Sequence, residues 1–187
     1  MKKILCSILT LLFLFSLVGC SQEKAAETDM PLTDIVAAVT ESQSELPALK
    51  QITSKDQNFD IWISDYYSLQ KENVEDGVIC YADGVEASEI AVLALSDEED
   101  CRAAEKALTE YIQDRAGAFE GYAPQQAAMV KDGIIVENGR YMAFLICPEP
   151  SAAKSAFLGC FEKNPNLMMP RLFCRHGNQE MIQICQS

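Results

Sequence analysis

Beyond a polar stretch ending at Met30, apolar residues recur at Leu32, Ile35, Val36 and Val39, the spacing of one face of a helix. Thr33 can cap its start and Asp34 sits in the first turn, where the helix dipole favours an acid, so a helix is expected to about Ser44, ending before Pro47. Residues 50–58 are polar and read as a loop. Phe59, Ile61 and Ile63 then alternate with other residues, which predicts a strand over 59–67. Residues 77–82 hold Val78, Ile79, Cys80 and Tyr81 in a row and read as a strand, with Asp83-Gly84 as the following turn. Residues 89–95 (EIAVLAL) are apolar without alternation after Glu89, as in a strand inside a sheet.

The strongest local pattern follows. Ser96 and Glu99 form a capping box, Asp97, Glu98 and Asp100 load the first turn, and Cys101, Ala104, Leu108, Tyr111 and Ile112 make an apolar stripe. The spacing predicts a long helix over 97–116, with Gly117 as its stop. Phe119 to Pro124 is a turn carrying two aromatics, and Pro124 suits the first position of a short helix to about Met129 or Val130. Apolar runs over 134–137 and 140–147 flank Asn138-Gly139, the signal for a hairpin closed by a type I′ turn. Ser151 can cap a further helix to about Lys163, and residues 164–187 suggest a C-terminal hairpin. The fold class expected is α+β, a mainly antiparallel sheet with two or three main helices packed on one face.

The first thirty residues follow a different logic. Lys2 and Lys3 precede a predominantly apolar region of 14 residues, Ile4 to Leu17, too short for the roughly 20 that span a bilayer as a helix. Leu17-Val18-Gly19-Cys20 closes this run and resembles a bacterial lipobox, in which the cysteine sulfur takes the lipid and the small residue before it leaves the bond open to cleavage. The resemblance implies a signal peptide over 1–19, a lipidated Cys20 with a polar linker to residue 30, and one globular domain over 31–187. Acyl chains contribute about 0.8 kcal/mol per buried CH₂, and two or more on one cysteine hold a protein stably at a membrane. The expected location is extracytoplasmic, lipid-anchored to the outer face of the cell membrane.

Charge narrows the partners. Without Lys2 and Lys3, 13 basic residues face 28 acidic ones, a net charge of about −15 that repels nucleic acid. Six cysteines besides Cys6 and Cys20 allow 15 pairings as three disulfides. Cys80 and Cys101 sit in patterns that suit buried thiols, and one disulfide towards the C-terminus stays open.

No catalytic motif emerges. His176 is the single histidine, so a nucleophile–histidine pair or a zinc site with Cys160, Cys174 and Cys185 would rest on it alone, and Cys-x-His is not a zinc spacing. Neither P-loop, GxSxG, HExxH nor dinucleotide fingerprint occurs. Ser96 to Asp100 lacks the glycine of a calcium loop. No catalytic residue, cofactor or metal is therefore expected. Phe119, Tyr122 and Pro124 are the candidate partner surface, with satellite core packing as their alternative role.

The order of these segments resembles a known family. Met30 to Ile35, Ser88 to Val92 running into the capped helix, Phe119 to Ala127 and the Asn138-Gly139 hairpin are similar to small envelope lipoproteins of Gram-positive anaerobes that carry domain of unknown function 4358. The similarity spans about Asp29 to Lys163 and implies a compact α+β envelope domain, with no activity attached. The expected function is a membrane-anchored, non-catalytic binding or scaffolding domain with an unknown protein or cell-wall partner; the rival is an extracytoplasmic enzyme, a carboxylate hydrolase or a thiol redox protein.

Overall fold

The computed structural model describes residues 28–162. Cys20, the signal stretch, His176, Cys174, Cys185 and the hairpin expected over 164–187 lie outside the described residues.

The elements follow in the order α1 (Leu32–Glu41), β1 (Leu49–Thr53), α2 (Phe59–Ile61, continuing as a π-helix over Trp62–Tyr66), β2 (Val74–Ala82), β3 (Glu89–Leu95), α3 (Glu98–Glu120), α4 (Pro124–Lys131), β4 (Ile134–Asn138), β5 (Tyr141–Ile146) and α5 (Pro150–Gly159). The strands form one five-stranded sheet, order β1-β2-β3-β5-β4, and every neighbouring pair is antiparallel. The class is α+β, as expected.

Its helices, however, cover both faces of the sheet rather than one. Ile79, Ala91, Leu93, Met142, Phe144 and Ile146 point to the side of α2, α3 and α4. Val78, Cys80, Ile90, Val92, Ala143 and Leu145 point to α1 and α5. The physical reason is in β3 and β5, whose residues are buried without exception. A strand buried on both sides cannot leave one face to water.

Local differences have equally specific causes. The 50–58 stretch expected as loop begins with β1, an edge strand in which only Ile52 is buried, too thin a pattern to stand out. Residues 59–66 are helical, not extended, because the apolar face is Phe59, Ile63 and Tyr67, four residues apart, while Ile61 is 46% exposed. Asp97 caps α3 in place of Ser96, its carboxylate accepting from the N–H groups of Glu99 at 2.8 Å and Asp100 at 2.9 Å. The helix runs past Gly117 to Glu120. Thr33 and Ser151 lie inside α1 and α5, whose first carbonyls come from Pro31 and Glu149. Pro124 does open α4.

The β4–β5 hairpin forms, but its closing pair is Asn138–Tyr141, so the loop residues are Gly139 and Arg140. Gly139 has φ of 62° and Asn138 and Arg140 stay negative. Positive φ at the first loop residue alone is the type II′ pattern rather than I′.

One packing contact in this core is unusually close. A Cβ on Gly77 would lie 2.5 and 2.8 Å from Phe59 ring carbons and 2.9 Å from Leu93 Cδ2. Both side chains are fully buried. Gly77→Ala is expected to destabilise by about 1–3 kcal/mol through overpacking, and Phe59→Leu should recover part of the loss in the double variant. Denaturant unfolding checks this, and a neutral single variant would contradict the packing.

Candidate functional site

Glu89, the first residue of β3, is 0% exposed. It sits between Tyr81 of β2 and Ile146 of β5 in the sheet. The Tyr67 hydroxyl, delivered by the turn after the π-helix, donates to Glu89 Oε1 at 2.7 Å. Tyr111 and Arg115, one turn apart on α3, approach Oε2, the Tyr111 hydroxyl at 3.0 Å and Arg115 Nη2 at 3.3 Å. Arg115 Nη2 also donates to the Ala87 carbonyl at 3.4 Å, and its guanidinium lies over the rings of Tyr111 and Phe119 at 5.8 and 5.5 Å. Arg115 Nε is buried without a partner among the described residues.

Burial pushes the Glu89 carboxyl above its ordinary range, and Arg115 and the two hydroxyls hold it partly back. Burial and the neighbouring Glu89 charge raise both tyrosines. Tyr67 and Tyr111 therefore stay protonated and act as donors to the carboxylate. The group is walled by Phe144, whose ring lies 5.8 Å from Tyr67 and 5.7 Å from Tyr111. Such an arrangement binds β3 to α3 and to the π-helix. Its carboxylate has its acceptor sites engaged inside the protein.

The network underlies a surface. Gln126 of α4 accepts from Ala87 N at 2.8 Å and donates to Glu86 Oε2 at 2.8 Å, so the β2–β3 turn and the α3–α4 connection are clamped together. Of the expected partner surface, Phe119 is buried and belongs to the core, Tyr122 is 60% exposed and stacks on Phe119 at 5.5 Å between ring centroids, and Pro124 is exposed. Val85, at the tip of the clamped turn, is 62% exposed and adds an apolar group that Asp83-Gly84 turn chemistry had hidden. Further round, Tyr66 is exposed and stacks on Trp62, which stacks on Tyr81 at 4.6 Å. These positions were masked by reading residues 59–67 as a strand.

Among the described residues Cys80, Cys101, Cys147 and Cys160 are free thiols. Burial pushes the first three up to about 11 and raises Cys160 as well. Such thiols are poor nucleophiles near neutrality. No group of three or more acidic, histidine or cysteine side chains among the described residues could hold a metal ion.

No curated protein and no solved structure matches this chain. A family profile does: the one described as Domain of unknown function (DUF4358) matches residues 48–147. The match runs from just before β1 to the end of β5 and takes in Tyr67, Glu89, Tyr111 and Arg115, leaving out α1 and α5, which cover the second face. With more than half of its length matched, this chain belongs to the DUF4358 family.

Proposed function

We propose that the protein is a membrane-anchored envelope lipoprotein whose domain is a non-catalytic binding or scaffolding module, tethered through Cys20 and docking a protein or cell-wall partner through Tyr122, Pro124 and Val85. The observation that carries this reading is the pairing of two exposed apolar side chains with a rigid foundation: Tyr122 and Val85 project from turns locked together by Gln126 and Arg115. Large apolar groups on a fixed backbone bind at low ordering cost. The buried carboxylate supports the same reading, because Glu89 is engaged by Tyr67, Tyr111 and Arg115 rather than turned to a cleft.

The first described residues of the domain and this surface lie at opposite ends of the sheet. Met30 and Pro31 border Glu75, Ala94 and Arg140, at the start of β2, while Val85 follows the end of β2. The nine residues of that strand separate the two ends by roughly 26 Å at about 3.3 Å per residue. A tether that joins the domain at Met30 would leave Tyr122 free to face away from the membrane.

Two measurements test the reading. Fatty-acid labelling should mark the wild type and not Cys20→Ser; equal labelling ends the anchor. A photo-crosslinking residue at position 122 or 85 should give discrete adducts on intact cells, and one at Lys106, on the exposed side of α3, should give none. Identical patterns at all three positions would remove the docking surface.

A further inference from the structure

The sheet has a second feature that this reading leaves unused. Among the described residues β4 has a strand neighbour on one side only. Beside its open edge runs a groove of about 590 Å³ between β4 and α3, floored by Ile112, Ala116, Gly133, Ile134 and Ile135 and bordered by Glu105. The other edge strand, β1, is polar at Lys50, Gln51 and Thr53, whereas β4 reads Ile-Ile-Val before Glu137. Charged residues on an edge are the usual protection against strand addition, and β4 carries one.

Backbone groups on that edge can be placed. Leu95 N–H donates to the Arg140 carbonyl, so Arg140 faces β3 and Tyr141 faces β4. Counting back from the closing pair Asn138–Tyr141, the alternation of an antiparallel ladder turns the N–H and C=O of Asn138, Val136 and Ile134 towards β5. Those of Ile135 and Glu137 face outward.

Among the residues that line the groove, the charge without an ion-pair partner is acidic. Lys131, its one lining cation, is paired with Glu120 at 2.6 Å. Glu105 and Glu137 are exposed, and the acidic first turn of α3 reaches the same edge, since the Cys101 thiol donates to the Gly139 carbonyl at 3.6 Å. A second copy of this chain would bring another net charge of about −15 to the same place.

We propose that the β4 edge and its groove bind an extended basic polypeptide segment of a partner protein by strand addition. The partner's backbone pairs with the outward groups of Ile135 and Glu137, its apolar side chains enter the groove over Ile112 and Ile135, and its cations meet Glu105 and Glu137.

The test uses the mature chain, residues 20–187, with a labelled twelve-residue peptide alternating valine and lysine and a control alternating valine and glutamate. Binding of the lysine peptide is expected to be at least tenfold tighter, with slowed amide exchange at Ile135 and Glu137. Glu137→Pro deletes an outward N–H without touching the ladder to β5 and should weaken binding tenfold or more; Glu137→Gln, which removes charge alone, should weaken it only severalfold. Circular dichroism establishes that both variants fold, and amide exchange on the wild type stands independently of them. Equal affinity for the two peptides, protection elsewhere, or equal effects of the two variants would overturn the proposal. So would binding that appears only after residues 163–187 are removed, or a dimer that protects the same amides. Adducts at position 122 are read separately, so either surface can fail without the other.

Discussion

Glu89→Ala is expected to lower the stability of the domain by about 3–5 kcal/mol at neutral pH, the cost of leaving one member of a buried ion pair alone. Arg115, 20% exposed, would lose its carboxylate, and the wholly buried Tyr67 hydroxyl its acceptor. Glu89→Gln keeps an oxygen for one hydroxyl while removing the charge, so about 1–3 kcal/mol is expected. The pH dependence separates charge from shape. Burial raises the folded carboxyl above its ordinary 4.5, so the fold favours the protonated form. The part of the stability that is linked to the Glu89 proton is therefore complete below pH 4.5 and is lost as pH rises through the higher folded value, while the contacts to Arg115 and the two hydroxyls remain. Glutamine cannot titrate. In urea titrations at successive pH values, the deficit of Glu89→Gln against wild type should be largest in acid and narrow as pH rises. A deficit that widens with pH would contradict the direction of the shift, and a loss below about 1 kcal/mol for Glu89→Ala would mean that the pair is not effectively buried.

The sequence made the sheet legible where strands are buried on both faces. Residues 90–95 and 141–147 stand out as unbroken apolar runs, and that same absence of alternation already implied cover on both sides of the sheet. The expectation of helices on one face gave it too little weight. What stayed illegible had thin or double patterns. Residues 59–67 satisfy a period of two through Ile61 and a period near four through Phe59, Ile63 and Tyr67, and only tertiary packing decides between them. The Glu89 network was hidden for another reason. Tyr67 and Tyr111 each lie 22 residues from Glu89 along the chain, on either side, and no local pattern links them. A carboxylate at the head of EIAVLAL reads as a strand boundary until the fold closes over it. Of the surface residues, Tyr122 was visible because an aromatic in a turn is conspicuous, whereas Val85 was not, since a single valine beside Asp83-Gly84 carries no periodicity.

Phe144→Ala is the second large effect expected, about 3–5 kcal/mol. Phe144 lies in β5 opposite Ala91 of β3 and Ile135 of β4, and its ring is buried against Tyr67 and Tyr111. Truncation removes the transfer free energy of the ring and leaves a cavity that rigid strands on both sides cannot close. The loss has a further consequence, because the ring is the wall that sets the two tyrosines over Glu89. With the wall gone their hydroxyls shift and the carboxylate loses part of its support. Phe144→Ala and Glu89→Gln should therefore couple by about 0.5–3 kcal/mol in a double-mutant cycle. Leu145→Ala is the matched control: its side chain is equally buried but faces α1 and α5 on the opposite side of the sheet, so a comparable loss should add to Glu89→Gln without coupling. Denaturant unfolding of the three single and two double variants gives both cycles. Strict additivity of Phe144→Ala with Glu89→Gln would show that the tyrosines hold their places without the ring, and equal coupling for Leu145→Ala would point to a general loosening of the sheet instead of a wall beside Glu89.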